Sequence, residues 1–539
     1  MVVDTSEVPG WRTIGRMLAD NARRYADRTA VIDGDRQLTY GELHGHARAL
    51  AKALIAAELR PGDLVAAWAP NGWRWVVMVH AVWLVGASIV PISSRLKVFE
   101  AGPVLERTSA PILFTADECA GIHFIDSLRA AYGAHLEGLP TLRKIVRLDL
   151  DHGANGFADF VATGSSIPDS LLDAAIAAVA QGDVSEVIFT SGTTGVPKGV
   201  QLDHAQLLRA YWGWSGIGSL NSSDNYLVIT PFSHGFGLNA GIIASALRGM
   251  CMVLLEIFEP GHAMELIRRH KISVMGGPPN LYARLMDQPG VAANPPKSLR
   301  VAFLGAASVP AEILRRVRAV LGIERVINAY GLMEACVVSM TRAEDDETVI
   351  STSTGRVMPG MEVKIVDDAG AEVPAGAAGE ILTRGYGIML GYWHDPAQTE
   401  ASMEPGGWFH TGDIGVCDAA GNITIVDRKK DMFICGGFNA YPAEVENLLL
   451  QMGPLSAVSV VGIPDEARGE VGVAFVVPSS GQQVSESDVI AWAKQNLAGY
   501  KVPRRVYVRD TLPLNGNGKV MKDVLRREAA ADVIANASH

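Results

Sequence analysis

Residues 190 to 199 read TSGTTGVPKG, so Thr190, Ser191, Gly192, Thr193, Thr194, Gly195 and Lys198 crowd into one loop directly after the apolar run SEVIFT. That mixture suits a polyphosphate. Glycines let the backbone come close, hydroxyl and N–H groups donate to phosphate oxygens, and lysine adds positive charge. The loop is not a Walker loop, because no Gly-Lys pair here or at Gly518 and Lys519 is followed by Ser or Thr. Composition alone also admits a plain surface loop.

A phosphate loop needs rigid elements behind it. SEVIFT (185 to 190), DNYLVIT (224 to 230), LRVAFLGAA (299 to 307) and RVINAYG (325 to 331) are short apolar or β-branched runs that end in loops, with helical stretches such as PAEILRRVRAVLG among them. Alternating strands and helices predict a mostly parallel α/β sheet. Ligands then collect at the carboxyl ends of the strands, where loops and helix N-termini offer N–H groups. From about residue 355 the short Gly-punctuated segments GRVMPGMEVKIVDD and GEILTRG predict a small β-rich subdomain. After DRKKDMFICGGF (427 to 438) an amphipathic helix starts at YPAEVENLLL. Strand-like AVSVVGIP and VGVAFVVP and helical ESDVIAWAKQNLA then form a compact α/β module with a frayed tail, AAADVIANASH. The expected division is 1–429 and 430–539.

Composition narrows the function. At 539 residues the chain exceeds what one hydrophobic core fills. A net charge of −11 argues against a nucleic-acid surface, which needs clustered Lys and Arg, so any nucleotide is a bound small molecule. Cys119, Cys251, Cys336, Cys417 and Cys435 are scattered and form no CxxC or Cys/His cluster, which predicts free thiols, a reducing compartment and no structural zinc. The start MVVDTSEVPGWRT lacks a basic region followed by an apolar run, so the expected location is cytoplasmic. The apolar stretch from Trp75 to Val90, broken by His80 and ended by Pro91, falls short of the ~18–20 residues of a membrane span and predicts a buried helix leading into a strand.

TSGTTGVPKG is one of a series. LTYGEL (38 to 43), PFSHGFG (231 to 237), GAA (305 to 307), NAYGLMEA (328 to 335), GEILTRG (379 to 385), WFHTGD (408 to 413), DRKKD (427 to 431) and PLNGNGK (513 to 519) accompany it along nearly the whole chain. Together they resemble the motifs of the adenylate-forming superfamily of acyl-CoA synthetases, luciferases and peptide-synthetase adenylation domains. The resemblance implies a large N-terminal domain of two α/β subdomains plus the β-rich one, followed by a small mobile α+β C-terminal domain. It implies an acid:CoA ligase using ATP, Mg2+ and coenzyme A, in which a carboxylate attacks the α-phosphate to give an acyl-adenylate that then passes to the thiol.

By the same resemblance Lys519 bridges the carboxylate and the α-phosphate, a crowded meeting of anions that requires positive charge, and Glu334 is the magnesium-linked carboxylate. Asp413 and Arg428 hold the ribose. Tyr330 stacks on adenine while Asn328 and the backbone of Ala306 and Ala307 read its edge, and Gly305, Ala329, Gly331 and Met333 complete the nucleotide site. His234 stands at the mouth of an acyl pocket lined by Phe236, Asn239, Pro278, Gly305, Leu332 and Val338. Lys430 is the hinge, and Gly436 and Gly437 flank the pantetheine path.

One position departs from the pattern. Met333 stands where the superfamily usually has a Thr that helps hold the α-phosphate, which predicts an altered rate or acid preference. GFNAYPAEVE (437 to 446) with YKVP (500 to 503) looks like acyl-CoA ligases rather than peptide-synthetase domains, so free CoA is the expected acceptor. The alternative is a stand-alone adenylation enzyme that loads a carrier protein. Whether the acid is fatty, a steroid-derived ring propionate or aryl stays open at this level, as does a homodimer.

Overall fold

The computed structural model describes residues 8–537 apart from 191–196, 306–308, 310, 430, 436–437, 466–467, 498 and 516–518. Its chain divides into two compact units, Met1–Val363 with Thr383–Phe409, and Lys364–Leu382 with His410–His539. The second unit thus takes in strand residues on the N-terminal side of position 430. Among the described residues no helix is long and apolar enough to cross a membrane.

The first unit holds two large sheets. Five strands of the nine-stranded sheet, Cys251–Leu254, Asn225–Val228, Val274–Gly277, Val301–Leu304 and Arg325–Leu332, run parallel side by side. In the seven-stranded sheet Val184–Thr190, Ser88–Ile92, Leu64–Trp68, Ile112–Thr115 and Lys144–Arg147 are parallel. Strands with both faces covered read as continuous apolar runs, which is why Leu64–Trp68, Ser88–Ile92 and Ile112–Thr115 are buried at every position. Trp73–Leu84 is a helix, and its residues from Trp75 to Leu84 are all buried, His80 included. It leads into the strand Ser88–Ile92.

The strand Val184–Thr190 is followed by Lys198–Asp203, which returns antiparallel beside it with Lys198 opposite Thr190. The helix comes only after the hairpin, at His204–Ile217, where Asp203 and Gln206 form a reciprocal cap.

Between residues 356 and 428 the chain is mostly β, as its glycine punctuation predicts; Met361–Val366, Ala378–Gly385 and Trp408–Cys417 each have residues in both units. In the second unit Leu455–Asp465 pairs antiparallel with Gly469–Pro478, and Arg505–Val508 lies parallel to the latter. The tail is a correction to the sequence reading. It is helical over Lys522–Ala537, because Leu525 and Ala529 are buried in this unit's core and alanine favours helix.

Candidate active site

In the first unit the described flanks of the phosphate loop are Thr190 and Lys198; Ser191, Gly192, Thr193, Thr194 and Gly195 lie outside the described residues. The Lys198 ammonium faces the ring of Tyr392, 5.1 Å from its centroid. The Tyr392 hydroxyl donates to Glu334 Oε1 at 3.2 Å, and the Glu334 carbonyl accepts from Met389 N at 2.8 Å. Burial and then the neighbouring Glu334 carboxylate push the Tyr392 phenol up, so it stays protonated and remains a donor.

Glu334 is carried on the single 3-10 turn Met333–Ala335, between the antiparallel strands Arg325–Leu332 and Cys336–Met340. The turn is tight. Cys336 has φ +52°, and a Cβ on Gly331 would lie 2.2 Å from the Cys336 carbonyl oxygen, so residue 331 must be glycine. Met333 reaches across to PFSHGFG, where a Cβ on Gly235 would lie 2.7 Å from its Sδ.

Ala329 and Tyr330 are half-buried on the strand Arg325–Leu332, just past its parallel pairing with Val301–Leu304, and Gly305 follows the latter strand; Ala306 and Ala307 lie outside the described residues. A Cβ on Gly305 would stand 3.3 Å from the Ala329 carbonyl oxygen. Asn328 is buried, and its Nδ2 donates to the carbonyls of Ile350 at 3.2 Å and Ser353 at 2.8 Å. Its amide hydrogens therefore brace the helix Glu347–Thr352, and what it can offer a ligand is its carbonyl oxygen.

In PFSHGFG, His234 begins the short helix Gly235–Gly237, with Nδ1 accepting from Phe236 N at 3.1 Å. That contact places the proton of a neutral ring on Nε2. A π-helical segment, Leu238–Ile243, follows and turns Asn239 inward. Asn239 Nδ2 donates to Glu186 Oε1 at 2.9 Å, and both side chains are sealed from solvent. Among the described residues Glu186 Oε2 has no hydrogen-bond partner, the buried Tyr211 hydroxyl is a further neighbour of the Asn239 side chain, and burial pushes the Glu186 carboxyl up to about 8. Sequence reading missed Glu186, whose signal is one acidic residue inside an apolar strand. Of the expected pocket residues, Phe236, Pro278 and Leu332 are half-buried and Val338 is fully buried. The Phe236 ring lies over Gly276, where a Cβ would come within 2.7 Å.

The second unit has its own cluster. Asp413 is buried opposite Arg428 in the strand register, with Arg428 Nε 3.4 Å from Asp413 Oδ1 and over half of the arginine side chain exposed. Buried Glu380 pairs with Lys429 at 3.0 Å and with His410 at 3.2 Å. Lys519 is exposed; its N–H donates to Asn515 Oδ1 at 2.9 Å and its carbonyl accepts from Asn515 N at 2.8 Å. Just beyond it, Lys522 pairs with Glu446 at 2.9 Å, and Arg526 lies 3.4 Å from Asp431. Burial raises Glu446, and Lys522 draws it only part of the way back. Lys430, Gly436 and Gly437 lie outside the described residues.

Comparison with known proteins matches residues 18–393 to the AMP-binding enzyme family and residues 444–519 to the AMP-binding enzyme C-terminal domain. The chain is 43% identical over 516 residues to the 3-[(3aS,4S,7aS)-7a-methyl-1,5-dioxo-octahydro-1H-inden-4-yl]propanoyl:CoA ligase of Mycobacterium tuberculosis, covering 96% of this chain and 98% of that one. It is 33% identical over 524 residues to a feruloyl-CoA synthase of an Amycolatopsis species, covering 95% and 98%. Among solved structures, the anthranilate CoA ligase AuaEII in complex with anthranoyl-AMP superposes with a TM-score of 0.86 at 26% identity, covering 98% of this chain and all of that one. With these matches spanning both units, the chain belongs to the AMP-binding enzyme family, as an adenylate-forming acid:CoA ligase.

Proposed function

We propose that the acid is a bulky ring-bearing alkanoate of the ring-propionate kind, activated as its adenylate and released as the CoA thioester. The observation that carries this is the 43% identity, over nearly the full length of both chains, to a ligase named for a bicyclic dioxo propanoate. In the first half-reaction an acid carboxylate oxygen attacks the α-phosphorus and pyrophosphate leaves. In the second the CoA sulfur attacks the acyl carbonyl, the thiol proton is lost, and AMP leaves.

The residues divide these tasks. Lys198 and the hydroxyls and backbone of 190–195 hold the β- and γ-phosphates. Tyr330 stacks on adenine, the Asn328 carbonyl oxygen accepts from its exocyclic amine, and Asp413 with Arg428 holds the ribose. His234 presents Nε2–H at the mouth of the acid pocket. Lys519 neutralises the crowded oxygens during the attack. The C-terminal domain, 430–539, then turns at Lys430 and brings Gly436 and Gly437 to the pantetheine arm.

Magnesium fits this chain. Among the described residues no group of three or more His, Cys, Asp or Glu could hold a metal. A magnesium ion bound to phosphates needs only one or two carboxylates and keeps its other waters, and Glu334 supplies an oriented oxygen. The metal would offset phosphate charge. The five cysteines are free thiols, which supports a cytoplasmic location.

The test is pyrophosphate exchange across ring propionates, aryl acids and fatty acids, followed by thioester formation with free CoA. Ring propionates should give the highest exchange. Preference for aryl or fatty acids would overturn the acid assignment. Adenylate formation with transfer only to a carrier protein would overturn the CoA assignment in favour of a loading enzyme.

A further inference from the structure

Tyr392 belongs to none of the motifs that identify this chain, yet it touches two charged residues that belong to them. Its ring faces the Lys198 ammonium and its hydroxyl donates to Glu334. The main chain fixes where it stands. The two-residue strand Gly391–Tyr392 pairs antiparallel with Lys198–Asp203, with Tyr392 opposite Val200. Tyr392 N donates to Thr399 Oγ1 at 2.9 Å, and Trp393 N donates to the Gly199 carbonyl at 2.7 Å. The same segment holds the Glu334 backbone through Met389 N. Tyr392 is buried, while Lys198 and Glu334 are half-buried.

A lysine and a glutamate that share a neighbour in a half-buried site attract one another strongly, because water screens them less there. A direct pair would spend each charge on the other. The phenol gives each a contact that leaves its charge intact: the π face attracts the ammonium, and the O–H donates to the carboxylate without neutralising it. We propose that Tyr392 is a positioning residue that holds the Lys198 ammonium and the Glu334 carboxylate apart and oriented, leaving the first for the polyphosphate of ATP and the second for its metal ion. The inference rests on the roles given above to Lys198 and Glu334.

Equilibrium binding tests it without turnover. The full chain is titrated calorimetrically with an ATP analogue carrying a methylene between the α- and β-phosphorus, with and without Mg2+. Tyr392→Phe keeps the ring and removes the hydroxyl. Its metal-free affinity should stay within about twofold of wild type, while the gain in affinity on adding Mg2+ should shrink about tenfold, as expected for loss of a hydrogen bond to a charged group. Tyr392→Leu removes both contacts and should weaken metal-free binding as well. Glu334→Gln defines complete loss of the gain. If Tyr392→Phe keeps the whole gain while Glu334→Gln loses it, Tyr392 does not position the carboxylate and the inference is overturned. If Glu334→Gln also keeps the gain, the role of Glu334 itself fails and the inference falls with it.

Discussion

Around the motif residues, the two compact units hold their charges in opposite ways. In the first, charged or polar groups meet neutral partners: Lys198 an aromatic ring, Glu334 a phenol, Glu186 a carboxamide, His234 Nδ1 a backbone N–H. In the second, carboxylates meet cations: Asp413 with Arg428, Glu380 with Lys429, Glu446 with Lys522, Asp431 with Arg526. A neutral partner orients a charge without itself cancelling it. An ion pair cancels the charge and fixes backbone instead. Around these residues the first unit orients charge without cancelling it. In the second, Glu380 with Lys429, Glu446 with Lys522 and Asp431 with Arg526 read as a framework, while Asp413 with Arg428, whose side chain is over half exposed, is the pair proposed for the ribose.

The sharpest way to break that contrast is Lys519→Ala. With the role proposed for it, loss of this cation should lower pyrophosphate exchange by about 10²–10³-fold. Thioester formation from supplied acyl-adenylate should stay within about threefold, since that step does not need this lysine. Equal loss in both half-reactions would mean that Lys519 acts through the fold of its unit.

Glu186 tests the first unit through pH. Its folded carboxyl sits at about 8, above an ordinary glutamate. Between the ordinary value and about 8 the folded state keeps a proton that the unfolded chain has released, so stability must fall as pH rises through this window. The wild type should lose about 3 kcal/mol from this group between pH 5 and 8. Urea melts of Glu186→Gln, which is neutral throughout, should show this part of the slope removed. Parallel slopes in the two proteins would mean that Glu186 is ionised and its buried oxygen is served by a partner.

Lys522→Met tests the second unit. Glu446 loses its cation, and each side chain of the pair is only 18% exposed, so the expected cost is about 2 kcal/mol in a denaturant melt. Adding Glu446→Gln should recover part of it. A neutral single variant would remove the framework reading of this pair.

What the sequence made legible follows from range. Val184–Thr190, Asn225–Val228 and Val301–Leu304 announce strands because consecutive residues carry the signal. Nothing in the run ending at Thr190 says, though, that Lys198–Asp203 turns back antiparallel beside it. The residues expected at the site, such as Lys198, His234, Glu334, Asp413 and Lys519, could be singled out because each lies inside a contiguous motif. Glu186 was hidden because an acid in an apolar strand has meaning only once Asn239 faces it. Tyr392, Glu446 and Lys522 were hidden for the same reason, since their partners lie far off in the chain. The tail looked frayed because its alanines carry little apolar signal, and only packing shows Ala529 to be buried.

Met333 offers the smallest and most local test of how tightly the first unit is held. Its thioether occupies the space above Gly235, where a new Cβ would meet Sδ at 2.7 Å and Cε at 2.9 Å. Both are the far end of a flexible side chain, so Gly235→Ala should cost about 1 kcal/mol of stability rather than the larger penalty of a backbone clash. It should also slow adenylation several-fold by nudging the turn that carries Glu334. Threonine at 333 ends short of Gly235, so Met333→Thr should absorb the alanine. In the double variant the two changes should couple by about 1 kcal/mol in stability, with adenylation restored toward the Met333→Thr value. Strict additivity would mean that the thioether swings aside without moving the turn. The departure at 333 would then have no effect through the packing of this turn against Gly235.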